Sequence, residues 1–184
     1  MAVPKRGSGI PPRGSGGSGG EEVLSFNGIA DYNDTGTAIT PIVLVSNTWT
    51  TITNNGQGEF TNLNYLPSGV TKLMNTSTGQ FDFTELDLGD SCLIRNDFSV
   101  TPNTNNALLE LRYQLGEGSG SYTLNTIIGR LDSGSGTPYR FSLQPQMIYM
   151  GESNTRDNLI TLQIKLSTNG TAINAGSAIG VIKR

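Results

Sequence analysis

Two stretches of strict alternation constrain this chain more than any other feature. Leu109, Leu111, Tyr113 and Leu115 alternate with Glu110, Arg112 and Gln114. Ile160, Leu162, Ile164 and Leu166 alternate with Thr161, Gln163 and Lys165. A period of two places successive side chains on opposite faces of a strand, so each stretch reads as a strand with one buried face. The apolar phase predicts a core that includes Leu109, Leu111, Tyr113, Ile160, Leu162 and Ile164.

Shorter strand signals fill the interval. Ile42 to Val45 is an apolar run, and the Thr-rich segment Trp49 to Ile52 ends at the turn Asn54-Asn55-Gly56. Phe60, Leu63 and Tyr65 are closed by Pro67-Ser68-Gly69. Phe81 and Phe83 flank Asp82, and Leu86 and Leu88 extend that alternation. Asn169-Gly170 carries the strongest short hairpin signal in the sequence, and Ala178 to Ile182 reads as a last strand. About ten strands at short spacing, without a convincing amphipathic helix, predict an all-β fold: a jelly-roll β-sandwich. An Ig-like sandwich is the rival, but its Cys…Trp…Cys pattern is absent from a chain with one cysteine.

Composition agrees. Charged residues make up 15% of the 184 residues, against about 25% in ordinary domains. A chain of this length buries roughly 70% of its unfolded surface and needs neither metal nor disulfide to fold. Histidine is absent, which removes the commonest general base and the commonest nitrogen ligand for zinc. Cys92 lies in the apolar run Cys92-Leu93-Ile94 and reads as a small buried hydrophobe. No apolar run approaches the ~20 residues of a membrane span. Lys5 and Arg6 precede no apolar segment, so no signal peptide is expected, and the chain is expected to be soluble.

Residues 1–20 stand apart from residues 21–184, which are read as the jelly-roll domain. The segment runs through Lys5 and Arg6 to Ile10-Pro11-Pro12-Arg13 and then Gly14-Ser15-Gly16-Gly17-Ser18-Gly19-Gly20. Such composition cannot repay the entropy of ordering itself, so a flexible arm is expected. Its three charges are all positive, leaving nine basic and fifteen acidic residues, a net of −6, on the remainder. A basic arm on an acidic body reads as a tether that docks elsewhere. The Gly/Ser tract also has the look of a synthetic linker, the lesser reading, since Ile10-Pro11-Pro12-Arg13 is not linker-like.

The candidate chemical motifs are weak. Gly14 to Gly19 matches a dinucleotide fingerprint in letters only, since it follows no strand and opens no helix. Asp31-Tyr32-Asn33-Asp34-Thr35-Gly36 resembles the start of a calcium loop, but the twelfth place is Ile42 where a bidentate Glu is required; a turn built by Asn and Asp side chains is the better reading. Asp82, Glu85, Asp87 and Asp90 form an acidic group expected on a solvated strand edge. No catalytic residue, metal site or cofactor is assigned. The acidic body disfavours nucleic acid, and no membrane association is expected.

Three segments carry a family resemblance: Leu86-Asp87-Leu88-Gly89-Asp90-Ser91-Cys92-Leu93-Ile94-Arg95-Asn96-Asp97, Leu109 to Gly116, and Met147-Ile148-Tyr149-Met150-Gly151-Glu152-Ser153-Asn154-Thr155-Arg156-Asp157. Together they resemble the jelly-roll structural proteins of tailed-bacteriophage virions, of the head-decoration (cement) or head-fibre kind. The first is also similar to the opening of the TNF/C1q-like trimeric jelly roll. The resemblance spans roughly residues 60–184 and implies architecture and assembly without an active site. It implies a homotrimer in the virion, assembled in the host cytoplasm, whose partners are the major capsid protein or neighbouring virion subunits. Capsid contact would then fall to the arm through Lys5, Arg6, Ile10, Pro11, Pro12 and Arg13. Two alternatives stay open: a fibre knob binding a host surface glycan through loops such as 116–120 and 132–137, and a jelly-roll shell (coat) protein.

Overall fold

A computed structural model describes residues 26–184. The sequence of elements is β1 (Phe26–Asn33), α1 (Gly36–Ile39), β2 (Ile42–Leu44), β3 (Thr50–Thr51), β4 (Asn62–Tyr65), β5 (Met74–Asn75) and β6 (Gln80–Phe81). There follow β7 (Ser91–Pro102), β8 (Ala107–Leu115), β9 (Tyr122–Leu131), β10 (Tyr139–Ser142), β11 (Gln146–Tyr149), α2 (Ser153–Asp157), β12 (Thr161–Leu166) and β13 (Gly170–Ile182). The two α-helices among the described residues span four and five residues, and Gly118–Gly120 forms a single 3-10 turn. The fold is all-β, as the alternation predicts.

Two antiparallel sheets make the sandwich. The larger runs β10-β7-β13-β1-β4, with β11 also on β7 and β2 also on β13; the smaller runs β3-β12-β8-β9. Alternation is cleanest where both sheets contribute to the core. β7 buries Cys92, Ile94, Asn96, Phe98 and Val100, and β12 buries Leu162, Ile164 and Leu166. All six residues expected in the core are buried, none more than 3% exposed. Burial of each such side chain contributes about 1.5–3 kcal/mol of transfer free energy.

Polar side chains also cross this core. The Asn96 amide of the larger sheet donates to the Tyr113 hydroxyl of the smaller one, and Ser177 Oγ donates to Asn96 Oδ1 at 2.8 Å. The three groups satisfy one another, as buried polar atoms must. Tyr32 extends from β1 to accept the Leu73 main-chain N–H at 2.7 Å, pinning the long β4–β5 connection over the core.

Three expectations need correcting. Asn169-Gly170 closes no hairpin: β12 belongs to the smaller sheet and β13 to the larger, so the tight turn carries the chain across the sandwich. There Asn169 Oδ1 accepts the Ser46 main-chain N–H at 2.8 Å. The alternation from Phe81 does not continue to Leu88, because residues 82–90 turn outside any strand and Leu88 is exposed. The last strand is also far longer than Ala178–Ile182. Its Asn, Gly and Ser positions hide a thirteen-residue strand that pairs with β1, β2 and β7.

Candidate interaction surfaces

The acidic group is divided between two structural networks. Asp82 is buried, not on a solvated edge; it meets Lys72 Nζ at 2.7 Å and accepts from Thr84 Oγ1 at 2.6 Å. Glu85 accepts the Thr71 main-chain N–H and the Thr71 hydroxyl. Asp90, also buried, accepts from Lys183 Nζ at 2.7 Å, from the Arg184 main-chain N–H at 3.0 Å and from that of Asp87 at 2.9 Å. Burial raises the Asp82 and Asp90 carboxyls, but Lys72, Lys183 and the neighbouring donors outweigh it and hold both below the ordinary aspartate range. Hydrogen bonds from Thr71 lower Glu85 likewise. These carboxylates fasten loops and share no cleft of the kind that acid–base chemistry requires.

The Asp31–Gly36 segment is not the expected turn: Asp31–Asn33 end β1 and Gly36 opens α1, with Asp34 and Thr35 between them. Asp34 Oδ1 accepts the Thr37 main-chain N–H at 2.7 Å and Oδ2 that of Asn55 at 2.9 Å, so the carboxylate is occupied by the fold. Among the described residues no group of three Cys, Asp or Glu is placed to hold a metal ion. Burial pushes the Cys92 thiol up to about 12, which keeps it protonated and unreactive.

The loops considered for glycan binding do not converge. Residues 116–121 precede β9 and residues 132–137 follow it. Ten residues of extended strand hold them about 30 Å apart. Tyr139, beside the second loop, spends its hydroxyl on the Ser133 main-chain N–H. Tyr122, beside the first, lies 3.2 Å from the Thr155 hydroxyl. A cleft of about 460 Å³ at the β7–β10 margin is lined by Asp97, Phe98, Arg140 and Phe141, and Asp97 is already paired with Arg95 at 3.0 Å.

The surface that stands out is the outward face of the larger sheet. Tyr65, Ile29, Gly180, Leu93 and Met147 are direct cross-strand neighbours in one row over β4, β1, β13, β7 and β11. Three of its side chains alternate with buried neighbours: Ala30 lies beside Ile29, Cys92 and Ile94 beside Leu93, and Ile148 beside Met147. Tyr149 and Ile182 flank Ser91 in the next row. β1, β7 and β11 show the alternation that places their residues outward, but the assembly into a row depends on pairings between distant strands. The proposed capsid contacts Lys5, Arg6, Ile10, Pro11, Pro12 and Arg13 lie outside the described residues.

No protein-family model matches the chain, and no curated protein is similar to it. Solved structures with some likeness belong to virus particles. A chain of infectious bursal disease virus Gt strain is 14% identical over 78% of this chain and 33% of its own length, with a TM-score of 0.37. A chain of the T13 infectious bursal disease virus particle is 12% identical over 78% and 30%, at 0.37. A chain of the T=1 particles derived from that virus is 13% identical over 78% and 31%, at 0.34. The present chain spans about a third of the length of each. A likeness this distant assigns neither family nor activity.

Proposed function

We propose that this chain is a non-catalytic virion structural protein: a capsid decoration or head-fibre subunit, homotrimeric, that binds the shell through residues 1–20. The observation that carries the reading is the segregation of charge. Lys5, Arg6 and Arg13 stand among Gly, Ser and Pro with no acidic neighbour, while the rest of the chain has a net charge of −6. The clustered carboxylates of the sandwich are held by its own donors, so its described polar chemistry serves the fold. A rigid trimer with three weak tethers reaches an avidity far above that of one tether. An extended twenty-residue segment spans roughly 65 Å, enough to reach an adjacent subunit.

Deleting residues 2–20 tests this. The truncated protein is expected to keep its fold and to lose binding to capsids stripped of it, measured as occupancy after co-sedimentation. Binding at full occupancy would place the docking surface on the sandwich and overturn the tether. Binding of the full chain is further expected to weaken as salt is raised, because the arm's three cations are screened.

A further inference from the structure

We infer that the outward face of the larger sheet is a self-association surface, covered in solution by the same face of a second copy of this chain. The row Tyr65–Ile29–Gly180–Leu93–Met147 crosses five strands, about 19 Å at the usual strand spacing. Tyr65 is 65% exposed, Met147 57% and Tyr149 in the next row 55%. Tyr and Met in particular are enriched at interface cores.

The borders of this stripe are charged. On one side lie Asp31 and Arg95, the latter paired with Asp97; on the other Lys183 bridges Asp87 and Asp90. An apolar centre within a polar margin is the anatomy of a protein interface.

Two observations favour a second copy as the occupant. First, the margin carries both signs in close pairs, so it offers no one-signed field to a polyanion or polycation, whereas it can face itself without repulsion. Second, the dimensions suit. β7 and β13 have twelve and thirteen residues and run about 40 Å, β1 has eight, and β4 and β11 have four each, so the five strands cover roughly 650 Å². That approaches the ~800 Å² that each partner contributes to a standard interface.

Phe26 pairs with Ile182 at the border of the stripe. The described chain therefore begins beside the proposed interface. The self-association stands without the tether, and the tether without it.

Light scattering of the full chain at micromolar concentration is the test, with a Tyr65→Glu/Met147→Glu double variant and an Ile127→Glu control. Both positions of the double variant are exposed, and so is Ile127 on β9 of the smaller sheet, so all three proteins should keep the wild-type far-UV circular dichroism. The wild type and the control are expected at an even multiple of 19.6 kDa and the double variant at half the wild-type mass. A wild type of one or three copies overturns the inference, as does a double variant that keeps the wild-type mass or a control that dissociates equally. Loss of capsid binding by the deletion of residues 2–20, with mass unchanged, would separate the two proposals.

Discussion

Tyr113, Asn96 and Ser177 form the one described side-chain bridge of this kind between the two sheets, and its energetics are lopsided. Tyr113→Phe changes no packing volume of note but leaves the buried Asn96 amide without its acceptor. An orphaned buried donor costs about 1–3 kcal/mol, more than the net worth of the bond that satisfied it. The urea midpoint of Tyr113→Phe is expected to fall accordingly, whereas Ser177→Ala, which frees one lone pair of Asn96 Oδ1, should cost less. Leu111→Ala removes a fully packed side chain and should cost about 2–5 kcal/mol; an unchanged melting temperature would mean that the inward phase of β8 has been misassigned. Asp82 and Asp90 titrate below the ordinary value of 3.8 in the folded chain. The unfolded chain therefore binds protons first as pH falls. The stability these groups lend is complete above about pH 4 and disappears as pH drops through their folded values. A melting curve series from pH 6 to pH 2 should show this loss, and Asp90→Asn should flatten it.

Among the elements, β13 shows how side chains that look like a loop serve as a strand. Gly176 lies at φ +142° where the β13 pairing with β7 shifts by one residue, and a Cβ there would stand 2.5 Å from the Tyr32 carbonyl oxygen. The Asn174 amide closes the bulge by accepting the Gly176 N–H at 3.0 Å and donating to the Thr53 carbonyl at 2.9 Å. Gly176→Ala is expected to destabilise by about 1–3 kcal/mol through backbone strain and the clash, read as a lowered melting temperature with native far-UV circular dichroism. This is why β13 was legible only in part. Its bulge breaks the period of two at Asn174-Ala175-Gly176, while β8 and β12, with no Gly and unbroken alternation, were fully legible. β9 escaped because Thr126, paired with the inward Leu111, stands where an apolar residue would mark the inner face, and it is exposed. Lys72 and Lys183, which make structural carboxylates of Asp82 and Asp90, lie ten and ninety-three residues from their partners, and nothing local in the sequence announces such pairs. The outward apolar row was likewise invisible before the strand order was known, since its five residues come from five separate strands.

For the whole molecule, topology governs kinetics. The larger sheet is built from strands far apart in sequence, β1 on β13 and β7 on β13. Loop closure over such distances must precede the contacts that reward it, so refolding is expected on the millisecond-to-second scale or slower, measurable by stopped-flow fluorescence of Trp49 and the tyrosines. The same order matters during synthesis. β13 is the middle strand of the larger sheet, yet it is made after every strand it joins. At translation rates of about 5–20 residues per second, β1 waits on the order of ten seconds for its partner. Throughout that interval β1 and β7 present unsatisfied edges to the crowded surroundings of the ribosome. A nascent chain halted before Gly170 has no way to close the sheet, so chaperone occupancy on ribosomes should persist until the final strand emerges.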